Sequence, residues 1–225
     1  MLVLAIVPTK HKLGKIMKKY LLSTALVSSL LIVPSAYAAE DELNVQIESQ
    51  GTGETYISGY GFKNKKVTYE NKNGLAIFEG DIVLGTIEEA ESWRSKIESS
   101  NGEMRPQSII RTGERYRWKN NTVPYDFGPN VSDGVKEMVY DALDHWEDNT
   151  PVRFVYRDSS NADQYPNYVR VIDDEYACWS WVGMRGGMQE LNVHRACGFG
   201  ATVHEFGHAL GLWHEQSRED RDQFV

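Results

Sequence analysis

Apolar and polar positions fall along this chain in blocks of different period, and the blocks predict its elements. Leu21 to Val33 is a continuous apolar run, preceded by Lys18-Lys19 and broken by Pro34-Ser35. Residues 39–58 are polar, contain Gly51-Thr52-Gly53, and read as a loose leader. From Val67 to Leu84 the pattern turns strand-like. Leu75-Ala76-Ile77-Phe78 and Ile82-Val83-Leu84 flank Glu79-Gly80-Asp81, a hairpin turn by composition. Thr86, with Glu89 three residues on, forms a capping box. It opens a helix to about Ser99, with Ile87, Ala90 and Ile97 available for one face. Residues 100–108 show no period and read as a linker, in which Arg105 offers a basic site to a processing protease.

A second unit follows. Val123 to Phe127 reads as a strand, and Ser132 as the N-cap of a helix running to about Asp148. Its apolar positions Val135, Met138, Val139, Ala142, Leu143 and Trp146 keep a helical period and make one buried stripe. Val152–Tyr156 and Tyr168–Ile172 read as strands, Trp179–Val182 as an edge strand ended by Gly186-Gly187, and Leu191–His194 as a fourth strand. His145 beside the helix stripe and His194 at a strand end have no partner at ligand spacing and read as surface or packing residues. Helix, strands and helix in this order predict an α+β layer architecture.

Composition narrows the function classes. At 225 residues and 41% hydrophobic, with 11% aromatic, the chain has ample material for a core, and general disorder is excluded. A formal charge of −8 argues against a nucleic-acid binder or a polybasic membrane-surface protein. Residues 1–38 run against that balance, with five Lys and no acid. Met17-Lys18-Lys19, the thirteen-residue apolar run and Ala36-Tyr37-Ala38 together read as a secretory signal peptide that begins at Met17 and is cut after Ala38. Thirteen residues are too few to cross a bilayer as a helix, so a secreted protein without a membrane anchor is expected. An oxidising compartment permits Cys178 and Cys197 to pair. Two cysteines are too few for a disulfide scaffold or a Cys-only zinc site.

The chemistry is concentrated in His204-Glu205-Phe206-Gly207-His208-Ala209-Leu210-Gly211-Leu212-Trp213-His214. His204 and His208, four apart, put two imidazoles on one helical face for one metal ion. Glu205 follows the first of them, where a carboxylate can work on a water at that metal. A continuing helix would carry His214 away, whereas Gly211 can take φ > 0 and turn the chain back. Three neutral His and an open fourth position make a catalytic zinc site for one Zn²⁺.

With those residues in place, the sequence resembles the astacins, a family of metzincin zinc metalloproteases. His204 to Asp222, including Glu215, Arg218, Asp220, Arg221 and Asp222, is similar to the long astacin signature. Cys178-Trp-Ser-Trp-Val-Gly183 and Cys197 are similar to the family's paired cysteines beside the edge strand, and Trp118 with Val123-Pro124-Tyr125 to the start of its mature domain. Phe78-Glu79-Gly80-Asp81 resembles the astacin propeptide motif.

The resemblance implies a zincin-like α+β fold, with a mixed twisted sheet, a backing helix and an active-site helix. It implies a propeptide over residues 39–108 and the N-terminal half of a protease domain over 109–225. His204, His208 and His214 would hold Zn²⁺, with Glu205 as general base. Asp81 would fill the open metal position and keep a zymogen latent, although by its own surroundings it reads equally as a turn residue. Cys178 and Cys197 would form a disulfide. Protein or peptide substrates would lie along Trp179, Ser180, Trp181 and Val182, whose aromatics also read as packing. Activation by another protease would cut near 105–109, and the new N-terminus would reach Glu215, which reads equally as a solvated helix-end carboxylate. One departure stands out: no Met follows His214, so the family's Met-turn is missing and the catalytic domain is expected to be incomplete beyond Val225. The active-site helix is then expected to leave an apolar face exposed, and this chain alone to be insoluble, unstable or proteolytically dead. The alternative function is an inactive remnant that binds zinc or a protein partner.

Overall fold

Four strands and a helix form from residues 52–99: β1 (Thr52–Gly59), β2 (Phe62–Lys72), β3 (Leu75–Phe78), β4 (Ile82–Thr86) and α1 (Ile87–Ser99). The computed structural model describes residues 49–59, 62–100, 116–174 and 177–217. The signal-peptide reading, the cleavage region 105–109 and residues Arg218 to Asp222 lie outside them. β1 to β4 pair as an antiparallel meander. The expected hairpin is present, with its turn at Glu79–Asp81, and α1 begins at the expected box: Glu89 N–H donates to Thr86 Oγ1, and Thr86 N–H to a Glu89 carboxylate oxygen. Ala90, Trp93 and Ile97 form its buried face, Trp93 being an addition to the expected set.

One expectation is corrected here: residues 52–59 are a strand and not a loose leader. Their inward positions are Thr55 and Ile57, both buried, while Gly53 lies flat beneath the Tyr69 ring, where any Cβ would collide. Thr55 Oγ1 donates to Ala90 O at 2.8 Å and fastens the strand to α1.

From residue 116 onward the elements are β5 (Thr122–Phe127), α2 (Asp133–Asn149), β6 (Arg153–Tyr156), β7 (Tyr168–Ile172), β8 (Trp179–Trp181), β9 (Met188–Asn192) and α3 (Gly198–Leu210). Ser132 caps α2 through Val135 N–H, as its position predicts. Parallel pairing joins β5 to β6 and β7, and β7 to β9, while β8 runs antiparallel to β9. The strand expected at 191–194 instead starts at Met188 and ends at Asn192. Its inward Gln189 is polar, and spends its amide on the turn before it, donating to Gly183 O and accepting from Arg185 N–H.

The two groups of strands share one nine-stranded sheet, ordered β1-β2-β3-β4-β8-β9-β7-β5-β6. The junction is a parallel pairing of β4 with β8, Ile82 opposite Ser180 and Val83 opposite Trp181. The larger core lies between this sheet and helices α2 and α3. There Val135, Val139 and Leu143 of α2 and Phe206 of α3 meet Val169, Val171 and Leu191 of the sheet. A second core joins β1–β4 to α1. The α+β class with a mixed sheet, a backing helix and a separate site-bearing helix is therefore the observed architecture. Among the described residues, no helix is long and apolar enough to cross a membrane.

Candidate metal centre

α3 carries the site because its two histidines sit one turn apart on a helix whose later half is buried. Phe206, Gly207 and Ala209 pack inward, and Glu205 and His208 are buried with them. Three donors grip its carbonyls: Trp146 Nε1 on Val203 O at 3.0 Å, Trp118 Nε1 on Ala209 O at 2.8 Å, and Gly183 N–H on His208 O at 2.9 Å. The helix stops at Gly211, whose φ of 106° lies in the left-handed region and lets its N–H return to His208 O. That reversal carries His214 back beside His204 and His208.

The imidazoles converge through Nε2. His204 Nε2 and His214 Nε2 are 3.1 Å apart, near the roughly 3.3 Å expected of two nitrogens on a tetrahedral Zn²⁺. Into the same space projects Asp81 from the β3–β4 turn. One carboxylate oxygen is 3.1 Å from His214 Nε2, and the other is 3.3 Å from His204 Nε2. Asp81 and the three His each bring one ligand atom, all within 4.8 Å of one another. His208 Nε2 and Asp81 Oδ1 are buried without a hydrogen-bond partner. Three imidazole nitrogens and a carboxylate oxygen facing one another, two of them orphaned, fit a divalent cation of the zinc type.

The outer ring nitrogens are also engaged. His208 Nδ1 donates to Leu212 O at 2.8 Å, and His214 Nδ1 lies 2.8 Å from Glu79 Oε2. Burial pushes the Asp81 carboxyl up, but the His208 and His214 imidazoles facing it outweigh burial and hold the group well below the ordinary range. Burial, with His208 beside it, lowers His204, whereas the hydrogen bond to Asp81 raises His214. Glu205 is pushed well above its ordinary value by burial and then by the Asp81 charge; its Oε2 has no hydrogen-bond partner.

Cys178 and Cys197 form a disulfide, with Cα atoms 6.1 Å apart, which ties the start of β8 to the start of α3. Trp179, Ser180 and Trp181 make up β8 and Val182 follows it. The strand is not at an edge here, because β4 covers its outer side and Ser180 N–H donates to Asp81 O. Glu215 is exposed at the start of a short 3-10 turn, Glu215–Ser217. His145 is exposed and stacks edge-on with Phe199, and His194 caps the turn Arg195–Cys197, neither near the cluster. Phe199 and Leu212 are the exposed apolar residues of α3 and its exit.

Two residues, Glu79 and Arg185, make contacts that sequence reasoning missed. Glu79 stands two residues before Asp81 in the same turn, and that spacing across Gly80 was the available signal. Arg185 stacks on Trp181 at 3.8 Å and lies 3.6 Å from Glu89 of α1; nothing in the sequence linked them.

Residues 110–225 match the model of the peptidase family described as Astacin. The chain belongs to the astacin family. Blastula protease 10 of Paracentrotus lividus is 36% identical over 155 residues, which cover 66% of this chain and 25% of that protein. Meprin A subunit beta of Homo sapiens is 38% identical over 154 residues, covering 68% of this chain and 18% of that protein. The chain thus spans a quarter or less of these two astacin relatives. Among solved structures, High choriolytic enzyme 1, a hatching enzyme zinc-protease from Oryzias latipes, shares 30% sequence identity with a TM-score of 0.44, over 51% of this chain and 58% of that one.

Proposed function

We propose that this chain belongs to a secreted zinc endopeptidase made as a latent zymogen, in which residues 39–108 are the prosegment and 109–225 the start of the catalytic domain. One observation carries the reading: the Asp81 carboxylate, delivered by the β3–β4 turn, stands among His204, His208 and His214. An oxygen ligand in that position takes the place that a catalytic site keeps open for water and substrate.

His204, His208 and His214 are the residues that would hold the metal. The chemistry Zn²⁺ supplies when bound is that of a Lewis acid, polarising the scissile carbonyl and acidifying water. Glu205 does the proton work. Its buried Oε2 accepts the proton of the attacking water and gives it to the leaving amine. The outer side of β8, from Trp179 to Val182, binds an extended peptide by adding it as a strand, which the present pairing with β4 supports as a geometry. While the prosegment is attached, Asp81 excludes water and anchors β4, whose pairing over the substrate strand is only two residue pairs long and follows Asp81 directly, so both blocks depend on the Asp81 carboxylate. Cleavage near 105–109 by another protease releases both, and the new N-terminus pairs with Glu215. Secretion follows from the signal-peptide reading of residues 17–38.

The test is an Asp81→Ala zymogen with casein as substrate, expressed from the full reading frame. The uncleaved variant is expected to hydrolyse casein measurably while the uncleaved parent stays silent, and both reach the same activity after processing. A silent variant zymogen beside an active processed form removes Asp81 from the latency mechanism.

A further inference from the structure

The turn that carries Asp81 has a second carboxylate on the same imidazole. Glu79 Oε2 is 2.8 Å from His214 Nδ1, while Asp81 faces Nε2 of that ring at 3.1 Å. The backbone makes this possible by two consecutive left-handed residues, Glu79 with φ 51° and Gly80 with φ 98°. They turn both carboxylates, two residues apart, to one side. Glu79 is out of character there. Among the described non-glycine residues with positive φ, the other four are all Asn, the type that tolerates this region, and Glu79 is the exception. A residue held in a disfavoured conformation with its side chain on a buried ring points to a constraint from function.

Resting on the zymogen reading above, we infer that Glu79 is a positioning residue for the metal, and that it serves only while the prosegment is attached. By accepting Nδ1–H of His214, its carboxylate fixes the tautomer with the Nε2 lone pair free and makes that nitrogen a better donor. The other anchored ligand, His208, uses Leu212 O, which stays with the catalytic part. His214 depends for its outer contact on a residue that leaves with the prosegment. The prosegment therefore does two opposite things to one site: Asp81 closes it, and Glu79 strengthens its hold on the metal. The zymogen keeps its zinc more firmly than the enzyme that is released from it.

The experiment compares zinc transfer to a competing chelator, dipicolinate, from full-length zymogens and from their processed forms. Glu79→Gln is expected to raise the rate of loss from the zymogen about 10–100-fold, the usual effect of removing such an outer contact. Glu79→Gly separates positioning from folding, since glycine relieves the left-handed backbone yet lacks the carboxylate. It is expected to fold at least as well and still lose zinc faster. In Co²⁺-loaded zymogens, both variants shift the visible absorption bands. After processing, residue 79 is gone, so all forms are the same protein and must behave identically. Parental zinc retention in both Glu79 variants, with Asp81→Ala still releasing activity, overturns the inference and leaves the latency reading standing. If Asp81→Ala also changes neither latency nor zinc loss, both fail.

Discussion

Glu205→Gln separates the demands of fold and chemistry, because the structure gives Glu205 a cost as well as a role. The side chain is 1% exposed, and its Oε2 has no hydrogen-bond partner. Burial, reinforced by Asp81, raises its carboxyl well above the ordinary value. In the unfolded chain a Glu loses its proton near pH 4.3, give or take about a unit. The folded, metal-free protein keeps that proton to higher pH. Between the two values the folded state binds more protons than the unfolded one, so this group's contribution to stability is intact at low pH and falls as pH rises through the window. Gln has the same shape and no proton to lose. Each unit by which burial raises a carboxyl withdraws about 1.4 kcal/mol of stability once the pH lies above both values, which sets the scale of the expected gain. Glu205→Gln should therefore stabilise the metal-free protein by at least about 1 kcal/mol near pH 8, worth roughly 2–4 °C in melting temperature per kcal/mol for a chain of this size. Near pH 4.5 the gain should shrink toward zero. Thermal unfolding of chelator-treated protein, followed by circular dichroism at the two pH values, reads both numbers. A variant no more stable than the parent near pH 8, or an advantage that declines as pH rises, would refute the reasoning.

Three further changes have defined outcomes. Gly211→Ala places a Cβ at φ 106° and should cost at least about 1–2 kcal/mol in urea unfolding, with weaker zinc retention because His214 no longer returns to the cluster. Replacing Cys178 and Cys197 by Ser opens a loop with a separation of 19 residues, and should lower stability by about 3 kcal/mol, checked against the parent with and without reductant. Thr86→Ala removes one half of the capping box and should cost about 1 kcal/mol, read as faster amide hydrogen exchange across α1 with little change in α2.

The legible parts of this chain are those where one physical signal dominates. The stripe from Val135 to Leu143 announces α2, because an amphipathic helix must repeat its apolar face. The two His on α3 announce the site, because helical spacing alone brings them together, and Gly211 announces the turn that returns His214. Legibility fails where polar side chains point inward. β1 hides its period behind Thr55, buried through a hydrogen bond, and Gly53, which packs under an aromatic ring, instead of showing it through apolar bulk. The start of β9 is hidden in the same way by Gln189. The covering of β8 by β4 cannot be read at all, since parallel strands distant in sequence carry no local mark of their pairing. Asp81 is legible only through the family resemblance. Glu79, in the same four-residue motif, shows its contact only in the folded turn, because it depends on the left-handed backbone of Glu79 and Gly80.

The central claim, a zinc endopeptidase held latent by its own prosegment, is tested most directly by one paired measurement on protein made from the full reading frame. Zinc content and casein hydrolysis are measured before and after processing, for the parent and for Glu205→Gln. The account predicts about one zinc ion per chain in every sample, as three His and one open position require, with hydrolysis only in the processed parent. Processed parent that holds zinc but cleaves nothing, or processed Glu205→Gln that cleaves as fast as the parent, contradicts it.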